Sequence, residues 1–311
     1  MRHRNKYITL CWLAAMAIVV QSCSTTKVVP DGDQLYTGLS KIQYQNYEKS
    51  KHFDDTKNEL EAALACAPNG ALFGSSYVRT PFPVRLWVWN AFSGAESGVG
   101  HWIAKTFGKA PVLMSWVNPV LRASVAQSVM RSHGYFRGTV GYETVTMRNP
   151  KKAKIAYTVT MNHLFTLDSI TRENFPVATD SLLEATSKDA KIHSGDPFDA
   201  SLLDAERTRI STLFRNNGYF YYKSDYASYL ADTLARRGRV QLRMLMADNV
   251  PDRARRKWYI GKVDLNLRRQ FMESLEDSVT RRALTVHFNG KRSPIRPNVI
   301  LGRVKLRPGQ L

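Results

Sequence analysis

The sequence is short of acidic side chains, short of cysteine, and without a long uninterrupted apolar run. Each shortage excludes something. Only 26 aspartates and glutamates stand against 45 lysines and arginines, so the formal net charge is +19. A chain so charged works against anionic surroundings: nucleic acid, lipid headgroups or acidic glycans. Cys11, Cys23 and Cys66 are the only cysteines, too few for a disulfide framework. No apolar stretch reaches the roughly 20 residues of a confident transmembrane helix. Catalytic signatures are missing as well. There is no G-x-S-x-G, P-loop or Rossmann fingerprint, and the seven histidines show no i, i+4 pair and no cysteine partner. Their spacing suggests no zinc site, and no cofactor is expected. Asp54-Asp55 and Asp204/Glu206 are carboxylate pairs, but helix-start and surface roles suit them better than acid–base chemistry. A non-enzymatic protein is expected.

What is there begins at the N-terminus. Arg2, His3, Arg4 and Lys6 precede an apolar run over 8–20 that only Thr9 interrupts. The run is too short to span a bilayer and has the form of a secretion signal, assigned to 1–22. It ends in Val20-Gln21-Ser22-Cys23, which resembles a bacterial lipobox, with Gln21 a mild departure. Two readings stand. Either Cys23 becomes the lipidated first residue of the mature protein, carrying acyl chains such as palmitate, or cleavage occurs nearby and Cys23 is incidental. An exported protein meets little nucleic acid, so the positive charge then points to a membrane surface. Cys66 lies in an Ala/Leu-rich helix and reads as a small core residue.

The chain is organised around a helix that ends in a glycine-aromatic-aromatic corner and is followed by a hairpin. This unit occurs twice. One copy passes through His133-Gly134-Tyr135-Phe136 and the other through Asn217-Gly218-Tyr219-Phe220. Ala126, Val129 and Met130 fall on one helical stripe, as do Ile210, Leu213 and Phe214. Gly134 and Gly218 sit where a left-handed residue ends a helix, so that the aromatics behind them can fold back on the last turn. Ile155, Tyr157, Val159 and Met161 alternate as a strand, and so do Val240, Leu242, Met244 and Met246. Asn149-Pro150 and Arg237-Gly238 mark the turns before them.

The remaining segments fill in around these units. Residues 23–38 read as a tether, 41–47 as a strand and 53–65 as a helix. The first domain is expected over 39–161, with an insertion at 67–119. That insertion holds Trp87, Trp89, Trp102 and Trp116, and Glu96 is its only acid against Arg79, Arg85, Lys105 and Lys109. It is either an elaborated loop packed on its own domain or an aromatic, basic face at a lipid interface or partner. A second domain is expected over 162–248, with Asp196 or Asp199 capping its organising helix. Arg207, Arg209 and Arg215 beside Asp204 and Glu206 read as a solvated face. A third domain is expected to start at 257 and to be cut before its own corner, at 311.

These β-α-α-β-β units closing in Gly-Tyr-Phe, with Ala205-Glu206-Arg207-Thr208-Arg209-Ile210 ahead of the second corner, resemble the POTRA domains of the BamA/TamA outer-membrane assembly family. The lipobox, Pro68-Asn69-Gly70, Leu86-Trp87-Val88-Trp89-Asn90 and Lys109-Ala110-Pro111-Val112 look more narrowly like the TamL lipoprotein branch. The resemblance implies an α+β tandem, with two helices on a small three-stranded mixed sheet in each domain. It also implies a C-terminal β-barrel that this chain does not contain. The domains would lie in the periplasm, tied to the outer membrane through Cys23. Unfolded outer-membrane proteins would be their clients and a TamB-like inner-membrane protein a partner, with no nucleic acid. The strand after the second corner would form a sheet edge over about 221–230. Tyr222, Ser224, Tyr226 and Ser228 would then lie on a surface that accepts a client strand. The rival is a lipid-anchored lipoprotein that binds glycan or peptidoglycan through the aromatic-basic insertion.

Overall fold

A computed structural model of the chain describes residues 25–282 and 284–311, so the signal-like segment and Cys23 lie outside the described residues. The fold is α+β. Its strands form three three-stranded sheets, and in each the last strand in sequence takes the middle position. The chain makes two compact units. Of the described residues, those from 25 to 166 together with Pro197–Asp199 form one, and Leu167–Asp196 with Ala200–Leu311 form the other.

In the first unit, β1 (Leu35–Gln45) runs parallel to β3 (Lys152–Thr160), and β2 (Thr139–Thr146) pairs antiparallel on the other side of β3. The alternating residues put Ile155, Tyr157 and Val159 of β3 at 0% exposure, the centre of the core. Two helices cover that face. The first, α1 (Lys51–Leu64), is capped by the Ser50 hydroxyl, which accepts from the Phe53 amide at 3.1 Å, and it buries Phe53, Leu60 and Leu64. The helix ahead of the first corner, α4 (Pro119–Ser132), starts on Asn118 with proline at its first position and buries Ala123, Ala126 and Met130.

Strand β1 begins at Leu35, inside the stretch read as a tether. Alternation fails as a signal there because both faces are covered. Tyr36 enters the main core, while Leu35 packs with Val29, Leu86 and Leu113 under the insertion. That insertion carries α2 (Val84–Phe92) and α3 (Gly98–Phe107). It is also pinned along the free edge of β1. The Tyr36 amide donates to the Val112 carbonyl and the Leu39 amide to the Ser76 carbonyl, both at 2.8 Å. Buried Asn69 donates to the Ala110 carbonyl and accepts from the Val112 amide. The packed-loop reading therefore holds for this part of the insertion, whereas Trp102 and Trp116 remain 56% and 66% exposed.

In the second unit the sheet order is β4 (Thr166–Glu173), β6 (Arg239–Met246), β5 (Ala227–Asp232). Helices α5 (Val177–Ala185) and α6 (Ala200–Asn216) supply Leu183, Ile210 and Phe214 to a core shared with Met244 and Met246. The solvated-face reading of α6 is corrected at one pair. Glu206 is 3% exposed, grips Arg209 through two contacts at 2.7 and 2.8 Å, and accepts from the Lys191 amide. The third sheet, β7 (Val263–Asn266), β9 (Leu284–Phe288) and β8 (Asp277–Arg281), belongs to this same unit. The helix α7 (Pro297–Arg303) closes its core with Ile300. Among the described residues no helix is long and apolar enough to cross a membrane.

Candidate functional site

The two corners close their helices with the same pair of hydrogen bonds. Gly134 and Gly218 have φ of 82° and 92°. The Tyr135 amide donates back to the Met130 carbonyl and the Gly134 amide to the Arg131 carbonyl. In the second copy Tyr219 donates to Phe214 and Gly218 to Arg215. This is the Schellman closure of a helix, and the residue behind each glycine completes it by packing on the last turn. Tyr135 and Tyr219 do so, at 3% and 4% exposure. The following aromatics diverge. Phe136 packs against Phe165 and Phe198, whereas Phe220 is 59% exposed beside Tyr221. Each glycine carbonyl then accepts an amide from the chain leading to the next sheet, Phe165 at 3.0 Å and Trp258 at 2.7 Å.

Behind each corner the chain enters an edge strand. In the second unit that strand is shorter than the sequence suggests. It starts at Ala227, and a 3₁₀ turn over Ser224–Tyr226 precedes it. Tyr222 is 2% exposed and packs on Phe214 at 4.7 Å between ring centres, so it is a core residue and burial pushes its hydroxyl pKa upward. Of Tyr222, Ser224, Tyr226 and Ser228, only Ser228 lies on the strand. The pairing also decides which amides face out. The Ala247 amide donates to the Tyr226 carbonyl, so that pair is hydrogen-bonded and alternate pairs follow. Ser228, Leu230 and Asp232 therefore aim their amides at β6. Tyr229 and Ala231 aim theirs outward. Strand β2 has the same phase, since the Met147 amide donates to the Lys152 carbonyl; Val140, Tyr142, Thr144 and Thr146 face out. Neither edge carries lysine or proline, the residues that usually blunt one.

No protein-family profile matches the chain, and no curated protein does. Solved structures similar to it include BamA POTRA3-5 of Haemophilus influenzae, with TM-score 0.34, 11% identity, and cover of 79% of this chain and 76% of that one. POTRA1-3 of the periplasmic domain of Omp85 from Anabaena gives TM-score 0.28 at 12% identity, covering 91% and 80%. The N-terminal domain of Omp85 from Thermosynechococcus elongatus gives 0.28 at 10% identity, covering 88% and 78%.

One cluster lies outside the sequence expectations. His52, near the start of α1, His133, at the end of α4, and Asp199, just ahead of α6, converge within the first unit. The His133 ring is buried between two carboxylates, with Nδ1 3.2 Å from Asp199 and Nε2 3.0 Å from Glu59. His52 Nε2 stands 2.8 Å from the His133 carbonyl and donates to it. The other capping candidate, Asp196, accepts from the His193 amide in the loop before α6.

Proposed function

We propose that this chain is the periplasmic, POTRA-like region of an outer-membrane assembly protein. In this reading it binds extended segments of unfolded outer-membrane proteins by adding them as a strand to the β5 edge. The observation that carries the reading is the outward amides of Tyr229 and Ala231 on an edge without lysine or proline. Backbone pairing asks little of the client's sequence, which suits a protein that handles many unfolded barrels. The role is that of a non-enzymatic scaffold. Clients pass on to a C-terminal barrel, and a TamB-like inner-membrane protein is the proposed partner. The TamL-like motifs and the lipobox support an anchor at Cys23 in the outer membrane.

The edge reading is tested in the full chain with an unfolded outer-membrane protein segment and a photocrosslinker at Ser228. Ala231→Pro removes an outward amide and leaves the β6 ladder intact. It should cut crosslinking several-fold while the melt stays within a few degrees. Undiminished crosslinking would rule out strand addition here. For the anchor, Cys23→Ala should abolish labelling with radioactive palmitate, and equal labelling of mutant and wild type would remove the lipoprotein assignment. A second reading, glycan binding by the insertion, draws on exposed Trp102 and Trp116. Sedimentation with peptidoglycan that Trp102→Ala abolishes, with crosslinking unchanged by Ala231→Pro, would favour it.

A further inference from the structure

We propose that His52, His133 and Asp199 form a binding site for a divalent ion of the zinc class. One ring nitrogen of each histidine and one carboxylate oxygen of Asp199 lie within 4.8 Å of one another. His133 Nδ1 and Asp199 Oδ2 are 3.2 Å apart. Two ligand atoms on one tetrahedral zinc, each about 2.0–2.1 Å from it, stand roughly 3.3 Å apart. This pair is therefore already at ligand spacing. Two imidazoles and a carboxylate make a donor set suited to zinc, and a water can complete the tetrahedron.

The surroundings are those of a metal-bearing histidine. Glu59 Oε2 lies 3.0 Å from His133 Nε2, on the side of the ring away from Asp199. A carboxylate that holds one ring N–H fixes the tautomer and directs the other nitrogen's lone pair at the ion. His52 is held in place by donation from its Nε2 to the His133 carbonyl. Its ring also stacks on Tyr135. Without an ion, the two ring nitrogens of His133 face one carboxylate each. Zinc binds an unprotonated Nδ1, so any proton held there leaves to solvent on binding. The His133 and Asp199 side chains are 8% and 12% exposed, so the ion would sit largely shielded from water, while Glu59 is 60% exposed.

Such an ion would tie α1, the first glycine corner and the segment ahead of α6 together. It would make the firmness of that corner depend on metal, whether or not the β5 edge accepts strands.

The test is calorimetric titration of the chelator-treated full chain with zinc chloride, alongside a thermal melt. One zinc per chain and a higher melting temperature are expected. His52→Phe keeps the ring that stacks on Tyr135 but offers no ligand, and Asp199→Asn weakens the third; each should reduce affinity at least about 10-fold. Glu59→Gln, at an exposed position that need not disturb folding, should reduce it about 10–100-fold. Cobalt(II) should give the visible absorption of a four-coordinate site, lost in His52→Phe. Absence of binding heat and of any melting shift would overturn the proposal. So would wild-type affinity in both His52→Phe and Asp199→Asn, since that would place the ion elsewhere.

Discussion

Gly134 and Gly218 hold the same left-handed backbone but are crowded by different things. A Cβ at Gly134 would stand 2.9 Å from the Phe198 carbonyl oxygen and 3.1 Å from that of Phe165. Both are backbone and cannot step aside. At Gly218 the nearest atom, at 2.5 Å, is the end of the Leu311 side chain, which can rotate away. Gly218→Ala should therefore cost about 1 kcal/mol, the strain of positive φ alone. Gly134→Ala should cost about 2 kcal/mol or more, because the carbonyls must shift as well. Urea melts of the two variants would show the difference, and a gain in stability from either would mean the corner is not left-handed in solution. The corners were legible because a left-handed helix end strongly favours glycine and the residue behind it must be large and apolar. His52, His133 and Asp199 were not legible, because nothing in their spacing shows that three separate segments converge. Glu206 and Arg209 misled for a related reason. An i, i+3 charge pair looks the same on a bare helix as on one covered by the Lys191 backbone.

At the scale of elements, the pairing register turns one strand into two kinds of position. Ser228 aims its amide at β6, so Ser228→Pro removes a ladder bond and sets the ring against the neighbouring strand. Ala231→Pro removes only an amide that faces out. The first should lower stability by about 3 kcal/mol and the second by less than about 1 kcal/mol. Thermal melts of both, read by far-ultraviolet circular dichroism, separate them; a larger loss for Ala231→Pro than for Ser228→Pro would mean the hydrogen-bonding phase is shifted by one residue. Strand-centre alternation revealed β3 and β6 because each packs its apolar residues into one core. The ends of β1 and β5 were hidden. Leu35 and Tyr36 are covered on both faces, so β1 starts without alternation. Tyr222, Tyr226 and Tyr229 look like further strand positions, yet Tyr222 belongs to the turn that packs on α6. The insertion was legible by composition but not by its work along β1. That work depends on Asn69, Ser76 and Val112 meeting β1 through backbone hydrogen bonds, which leave no mark on hydrophobic periodicity.

For the molecule as a whole, the repetition of one unit was readable, and so was the α+β class, since each copy repeats the same helix end and hairpin. The repetition also places tyrosines in the cores of both compact units, and this makes the protein sensitive to alkali. Burial pushes the Tyr135 and Tyr157 hydroxyls up to about 12, and it pushes Tyr36, Tyr44, Tyr222 and Tyr229 upward too. In the unfolded chain they ionise near 10. The folded state holds their protons more tightly, so their contribution is complete below about pH 10 and is lost as pH rises towards 12. For Tyr135 and Tyr157 the loss is on the order of 2–3 kcal/mol each. An opposing effect acts over the same range. Lysines lose charge there, which relieves part of the repulsion implied by a net charge of +19. Those charges are mostly exposed and screened, so the buried tyrosines should dominate. The share of tyrosinate absorbance that comes from the buried rings should then appear together with loss of circular dichroism, in a cooperative step above pH 10. Tyr157→Phe should move that step to higher pH, since the Tyr157 hydroxyl has no hydrogen-bond partner to lose. Tyrosinate absorbance near pH 10 that Tyr157→Phe removes, with the dichroism intact, would show that the Tyr157 ring is open to water in the folded protein.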